Sequence, residues 1–385
     1  AFDHPATGDL YTDVDARFFA TFGTSCADPF GFQRIFTVDG GGPAVDNAVK
    51  AAMVWRSLFN RQHRGVERNA DIIICFTSAF HGRTGFALSA TQSHDPRKTE
   101  YFLRAANWPR IAYPGCVYDA DGRVVNNVAQ LEEEALQQVR NALDRYPNRV
   151  AAILLEPIQG EGGDAHCTQR FLSQLRTICD ERDVLLIFDE VQTGMGRTGS
   201  IWAFEQFIVR PDICVFGKMA QVCGFMAADP LLRPNDPGDA SKRVSGGVFE
   251  EASRISSTWG GSLVHKARWL VFWKRIVEGR LIQAAEQLGY QLLASLQNLS
   301  REFPEFFTNP RGRGLFAAID VPFEKRDAFW EACKRAGALV IPSGGERFDG
   351  TRSWGGIRFR PALTFSNADL TTLRQVLREA RGACD

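Results

Sequence analysis

Short apolar runs, rich in β-branched residues, alternate through the first two thirds of the chain with longer stretches in which apolar positions recur at helical spacing. The runs are Ile72–Phe76, Val150–Leu155, Val184–Phe188 and Ile213–Phe216. An uninterrupted apolar run of about four to eight residues reads as a strand covered on both faces. Val45–Phe59, Val128–Leu143 and Thr168–Arg182 are the helix-like stretches between them. Strand and helix in alternation predict an α/β fold, with helices layered over a mostly parallel sheet. Ligands in such sheets sit beyond the carboxyl ends of the strands, so the residues just after each run are the first candidates for chemistry.

Near residue 260 the pattern changes. Leu263–Gln297 reads as one long or broken helical stretch. Arg311–Asp320, a helix-like Lys325–Gly337, the apolar run Ala338–Ile341, a Gly-rich loop, Ile357–Phe359 and a closing helix from Asn367 follow. This predicts a smaller α+β domain over 271–385 behind a large domain over 1–270.

Composition narrows the classes. The chain has 385 residues, 44% hydrophobic and 23% charged, which excludes disordered, collagenous and coiled-coil proteins. Lys+Arg and Asp+Glu number 45 each. No net field draws the protein to nucleic acid or an anionic membrane, and small, locally recognised ligands are expected. No apolar stretch approaches the roughly 20 residues that span a bilayer. The first residues have neither a basic start nor an apolar core, so no signal peptide is read there, and the chain does not open on Met. The nine cysteines are odd in number and scattered, with no Cys-x-x-Cys pair. They read as small buried hydrophobes in a reducing, cytoplasmic setting, with no metal site.

Two strand ends carry the first chemical signal. Asp189 and Glu190 directly follow Val184–Phe188. A buried charge is costly unless paired, so such a carboxylate either caps a helix or faces a cationic ligand. Lys218 stands beyond Ile213–Phe216, behind Gly217. A desolvated Lys at a strand end is suited to bonding a carbonyl carbon. Lys and Asp on adjacent strand ends together suggest pyridoxal 5′-phosphate, whose ring nitrogen needs an acidic partner and whose aldehyde needs an amine. Asp39-Gly40-Gly41-Gly42 runs into a helix-like segment, an arrangement suited to a phosphate, and Thr258 could add a hydroxyl. Phe80 could stack on a ring, and Arg83 could clamp a carboxylate. Arg358 and Arg360 are further carboxylate candidates on one strand face, and Glu156 is another strand-end acid. Gly194-Met-Gly196-Arg-Thr-Gly199 is a literal G-x-G-x-x-G, but Asp189–Thr193 separates it from the strand, so dinucleotide binding is not expected.

The motifs together resemble the class III (ω-amino acid) aminotransferases of fold type I. Val38-Asp-Gly-Gly with Ala44–Ala48, Ala79-Phe-His-Gly-Arg83, Glu156–Asp164, Asp189–Gly194, Phe216-Gly-Lys218 and Thr258-Trp-Gly-Gly carry the resemblance over almost the whole chain. Within the class the likeness is greatest to lysine 6-transaminases, through Asn107-Trp-Pro-Arg-Ile, Gln221-Val-Cys-Gly224 and Arg358-Phe-Arg-Pro. The 4-aminobutyrate transaminases share several of these segments. Pro361-Ala stands where the family has Pro-Pro, Met219 where close relatives often have a second Lys, and Asp229–Glu251 is divergent.

The resemblance implies a homodimer with pyridoxal 5′-phosphate linked to Lys218. It implies Asp189 on the pyridine nitrogen, Gln192 near the 3-oxygen and Phe80 stacked on the ring. Gly41, Gly42 and Thr258 would hold the phosphate, Thr258 from the partner subunit. Arg83 would take the donor's α-carboxylate and Arg358 that of 2-oxoglutarate. Glu161 would gate Arg358 by pairing with it when lysine is bound, and Glu156 would lie near the substrate amine. The implied reaction passes the terminal amine of L-lysine to 2-oxoglutarate. Another ω-amine donor (4-aminobutyrate or ornithine), or a catalytically dead relative, is the alternative. The family has several dozen residues ahead of the point matching residue 1, supplying an arm and part of the small domain.

Overall fold

The buried runs form the centre of a seven-stranded sheet. In the computed structural model, which describes residues 11–228, 243–345 and 354–384, the chain enters through helix α1 (Asp13–Phe22). Then come β1 (Arg34–Val38), α2 (Gly41–Arg64), β2 (Ile72–Phe76), α3 (Gly85–Ala90), β3 (Arg110–Ile111), α4 (Val128–Arg145) and β4 (Val150–Leu155). A short hairpin follows, of β5 (Ile158–Gln159) and β6 (Ala165–His166), then α5 (Gln169–Arg182), β7 (Leu185–Asp189), β8 (Ile213–Phe216) and β9 (Cys223–Ala227). The sheet order is β1-β9-β8-β7-β4-β2-β3. From β8 to β3 every pairing is parallel, while β9 runs antiparallel to both of its neighbours.

Every residue of β2, β4, β7 and β8 is buried, as a strand packed on both faces requires. Each buried Ile, Leu or Val contributes about 1.5–3 kcal/mol through loss of apolar surface to water. Helix α2 lies against β4, β8 and β9, burying Ala44, Val45, Ala48, Val49, Ala51 and Ala52. Small side chains on that stripe let it approach closely. It ends at Gly65, whose left-handed φ of 64° suits glycine.

The last third holds α6 (Leu263–Glu278), α7 (Leu281–Glu302), β10 (Thr308–Arg313), β11 (Phe316–Val321), α8 (Arg326–Arg335), β12 (Ile341–Gly345), β13 (Trp354–Phe359) and α9 (Asn367–Gly382). The long stretch from Leu263 is thus broken, at Gly279–Arg280, where Arg280 takes a φ of 49°. The four strands make an antiparallel sheet in the order β10-β11-β13-β12. Its core contains Leu292 and Leu296 of α7, Phe306, Phe307, Ile319, Phe329, Ile357 and Leu377. Trp269 of α6 instead joins the core of the large sheet. Residue 270 therefore lies inside α6, and the change of core comes after it.

One expected strand is displaced. The apolar run Ala338–Ile341 is mostly outside β12: Leu339 is 86% exposed, and the strand runs through Ile341–Gly345. Backbone pairing decides this, since Ser343 and Gly344 sit opposite Gly356 and Gly355 of β13. Most of the divergent segment 229–251 lies outside the described residues.

Candidate active site

Strands β4, β7 and β8 end side by side, and the three sequence-predicted groups follow from that. Leu155 pairs with Phe188, and Asp189 with Val215, so Glu156, Asp189 and Lys218 emerge at one edge of the sheet. Gly217 leads into Lys218, which takes a left-handed φ of 46°. Solvent reaches the Lys218 side chain in the open cleft, yet the surrounding protein desolvates the amine enough to lower its pKa. The carboxylates of Asp189 and Glu156 oppose that shift, while Arg360 and Arg358 reinforce it.

Asp189 is held by the loop after β2. His81 Nδ1 lies 2.8 Å from Asp189 Oδ2, both side chains buried, and the Val191 amide donates to Asp189 Oδ1 at 3.0 Å. The His81 amide donates to Thr91 Oγ1 at 2.9 Å, which fixes the loop, and buried His81 Nε2 has no protein partner. Nothing in the sequence pattern singles out His81, because its partner is remote and its neighbours Phe80 and Arg83 carry the more obvious chemistry.

Glu156 accepts from the amides of Phe80 and Gly160, each at 2.9 Å. Burial raises its carboxyl to about 7, against the pull of His81. Glu190 is a different case. Its carboxylate accepts from the amides of Ala203 and Phe204 at 3.0 and 2.8 Å and from the Thr193 hydroxyl. The strand-end acids thus divide: Glu190 caps a helical turn, and Asp189 faces the cleft.

The helix start beside them is tightly enclosed. Gly40, at φ 104°, turns the chain into α2. A Cβ on Gly42 would meet Thr84 Oγ1 at 2.7 Å, and one on Gly82 would meet Gly42 Cα at 2.7 Å. Asp46 ties the layers together, accepting from Thr84 Oγ1 and the Ala87 amide at 2.7 Å each. The first amides of α2 have no partner within the helix and are free to donate hydrogen bonds to an anion. Thr258 is exposed, and no described hydrogen bond joins it to α2, although its loop is anchored where Thr37 Oγ1 donates to Gly260 O at 2.5 Å. Arg83 is exposed.

Arg358, in β13, and Arg360, just beyond its end, have separate fates. Arg360 is not solvated surface. Its guanidinium forks onto fully buried Asp164, with Nη1 to Oδ2 at 2.7 Å, lies 3.4 Å from the Phe316 ring centroid and reaches Gln192 Oε1 at 3.4 Å. Among the described residues Arg358 meets only carbonyls, of Gly160 at 2.9 Å and Pro342 at 3.4 Å. Glu161 does not pair with Arg358 here. Its Oε1 accepts from Ser93 Oγ at 2.6 Å and Lys98 Nζ at 2.5 Å. Lys98 also lies 5.7 Å from the centroid of the Phe80 ring.

Residues 17–380 match the family model described as Aminotransferase class-III. The chain belongs to the class-III aminotransferases. It is 39% identical over 381 residues to an L-lysine-epsilon aminotransferase of Mycobacterium tuberculosis, covering 99% of this chain and 79% of that one. An L-lysine-epsilon aminotransferase of Streptomyces clavuligerus is 35% identical, covering 98% and 78%. The solved structure of the lysine aminotransferase from M. tuberculosis in the internal aldimine form superposes with a TM-score of 0.88 at 37% identity, covering 100% of this chain and 82% of that one.

The buried glutamates give the aminotransferase a distinctive pH response. Burial raises the Glu190 carboxyl to about 7, above an ordinary value of about 4.3. A group whose pKa is raised by folding favours the fold in its protonated form. That contribution is complete below the unfolded pKa and is lost as pH rises through about 7. Cofactor-free protein is expected to show a melting temperature that falls from about pH 4.5 to about pH 7 and levels off above, with a shallower fall in Glu190→Gln. Scanning calorimetry across that range checks it. An identical slope in the variant would remove Glu190 as a source.

Proposed function

We propose that this aminotransferase moves the terminal amine of L-lysine to 2-oxoglutarate with pyridoxal 5′-phosphate, giving 2-aminoadipate 6-semialdehyde and L-glutamate. The carrying observation is the desolvated Lys218 amine facing Asp189 and Glu156 at adjoining strand ends. The names of the full-length relatives support lysine as donor. The residues fit the cofactor: an anion site at α2, an acid backed by a buried histidine, and an amine of lowered pKa all converge on one cleft.

When bound, the cofactor supplies an aldehyde and an electron sink for the carbon that loses its proton. Lys218 would hold the cofactor's aldehyde and would serve as the base that moves the proton of the amine-bearing carbon. The lowered pKa makes that amine available as a base. Asp189 keeps the ring nitrogen protonated, and His81 holds the carboxylate in one orientation. Gln192 would hydrogen-bond near the 3-oxygen, and Phe80 would stack on the ring. Gly41 and Gly42 would offer amides to the phosphate, and Thr258 would add a hydroxyl from a partner subunit. Arg83 takes the α-carboxylate of lysine, Arg358 that of 2-oxoglutarate, and Glu156 orients the reacting amine.

A homodimer belongs to the same reading. Tyr101, Phe102 and Leu103 stand 97%, 59% and 100% exposed in one run, an apolar surface that a second copy would cover. No helix among the described residues is long and apolar enough to cross a membrane. The nine free cysteines support a reducing, cytoplasmic location.

An absorbance scan tests the reaction directly. Lysine should bleach the band of cofactor bound to Lys218, and 2-oxoglutarate should restore it. A band that responds to 4-aminobutyrate or ornithine and not to lysine reassigns the donor. The two arginines separate cleanly in the same assay. Arg358→Met should raise KM for 2-oxoglutarate about thirtyfold or more with little change in stability, since it loses a charge-assisted carboxylate clamp. Arg360→Met strands buried Asp164 and should cost about 3–5 kcal/mol in denaturant unfolding.

A further inference from the structure

We propose that Lys98 is a specificity-setting residue for the dicarboxylate half of the reaction: it holds Glu161 off Arg358, leaving Arg358 open to 2-oxoglutarate. This rests on the assignment of Arg358 as the 2-oxoglutarate clamp and deepens it.

One carboxylate lies within reach of two cations. Glu161 is bonded to Lys98 Nζ at 2.5 Å and to Ser93 Oγ at 2.6 Å, both on Oε1. Arg358 Nη1 donates to the carbonyl of Gly160, the residue immediately before Glu161, and the Glu161 charge acts on that guanidinium. Among the described residues, neutral carbonyls of Gly160 and Pro342 are Arg358's hydrogen-bond partners. An incoming carboxylate displaces such acceptors readily, because charge-assisted bonds are about twice as strong as neutral ones. It could not so readily displace Glu161 from a direct pair.

The Lys98 contact is built rather than incidental. Both side chains are 23% exposed, so their attraction is less screened than on open surface. Lys98 ends a helical turn, Pro96–Lys98, whose cap is Asp95 accepting from the Arg97 amide at 3.3 Å. Ser93 Oγ also accepts from the Asp95 amide at 3.1 Å, so the residue that braces Glu161 also braces the turn carrying Lys98. Lys98 Nζ lies near the Phe80 ring as well, which keeps the ammonium at the cleft.

The chemistry supplies a reason for a third member. The two substrates enter one cleft in turn, and only one of them places a carboxylate at Arg358. A Glu161 with no alternative cation would stay on Arg358 and compete with every dicarboxylate. Lys98 offers it an equivalent partner, so freeing Arg358 costs little.

The holoenzyme tests this with glutarate, an unreactive dicarboxylate, titrated by calorimetry, and with each half-reaction followed by absorbance. Lys98→Met should weaken glutarate binding and raise KM for 2-oxoglutarate by about tenfold, within the usual range of site-to-site coupling, while KM for lysine moves less than about twofold. Lys98→Arg should restore glutarate binding. In Lys98→Met/Glu161→Gln the weakening should vanish, because no carboxylate remains to occupy Arg358. Equal loss toward lysine and glutarate in Lys98→Met overturns the proposal. So does a weakening that persists in the double variant, which would mean that Lys98 attracts the dicarboxylate directly. Glutarate binding by wild-type enzyme that shows no lysine half-reaction would instead overturn the donor assignment, with the Lys98 comparison still decided by the glutarate titrations.

Discussion

Lys218→Ala is expected to lower turnover by about four orders of magnitude or more, since it removes both the covalent anchor and the proton carrier. The fold should survive, because Lys218 projects into the open cleft and its neighbours Phe216 and Ala220 supply the local packing. Two readings of purified protein check this. The absorbance band of cofactor bound to Lys218 should be absent even with excess cofactor, and circular dichroism should match the wild type. Added amine could then bond the cofactor directly, and its slow conversion would measure what the remaining residues achieve without Lys218. Turnover close to wild type would require another base. Glu156 is one alternative, since burial brings its carboxyl to about 7.

Asp189→Asn is expected to cut kcat/KM about a thousandfold in both half-reactions while leaving cofactor bound. An amide cannot hold a proton on the ring nitrogen, and the electron sink weakens accordingly. Where orientation by His81 matters as well as charge, His81→Phe should lose less, about tenfold to a hundredfold. Single-turnover rates with lysine and with 2-oxoglutarate give the comparison. A loss confined to one half-reaction would contradict a role at the ring, because both halves share it. An Asp189→Asn enzyme of normal rate would place the essential acid elsewhere.

The large sheet is legible in the sequence wherever burial is complete. Ile72–Phe76, Val150–Leu155 and Ile213–Phe216 show uninterrupted apolar runs, and all three are strands with every residue buried. β12 is not legible in that way. Its Ser343-Gly-Gly segment is held by backbone pairing to Gly355 and Gly356, and glycines leave no hydrophobic pattern to read. The site divides along the same line. Glu156, Asp189 and Lys218 lie at or within two residues of their strands' ends, so a rule about strand ends reaches them. His81 meets its partner across 108 positions and Lys98 across 63, and no local pattern encodes such pairings. Alternation places Arg358 and Arg360 on one face. What distinguishes them is Asp164, 196 positions away from Arg360.

The left-handed backbone of Lys218 has a wider consequence. A φ of 46° is uncommon for any residue with a Cβ, and holding one there costs on the order of 1 kcal/mol that glycine would not incur. The position proposed to carry the chemistry is therefore one where the fold would be more stable with a different amino acid. Selection for robustness alone would remove the lysine, and its retention marks a local trade of stability for activity. Stabilising this enzyme by consensus or by design should leave that turn untouched and seek gains in the cores on either side of the Gly279–Arg280 break.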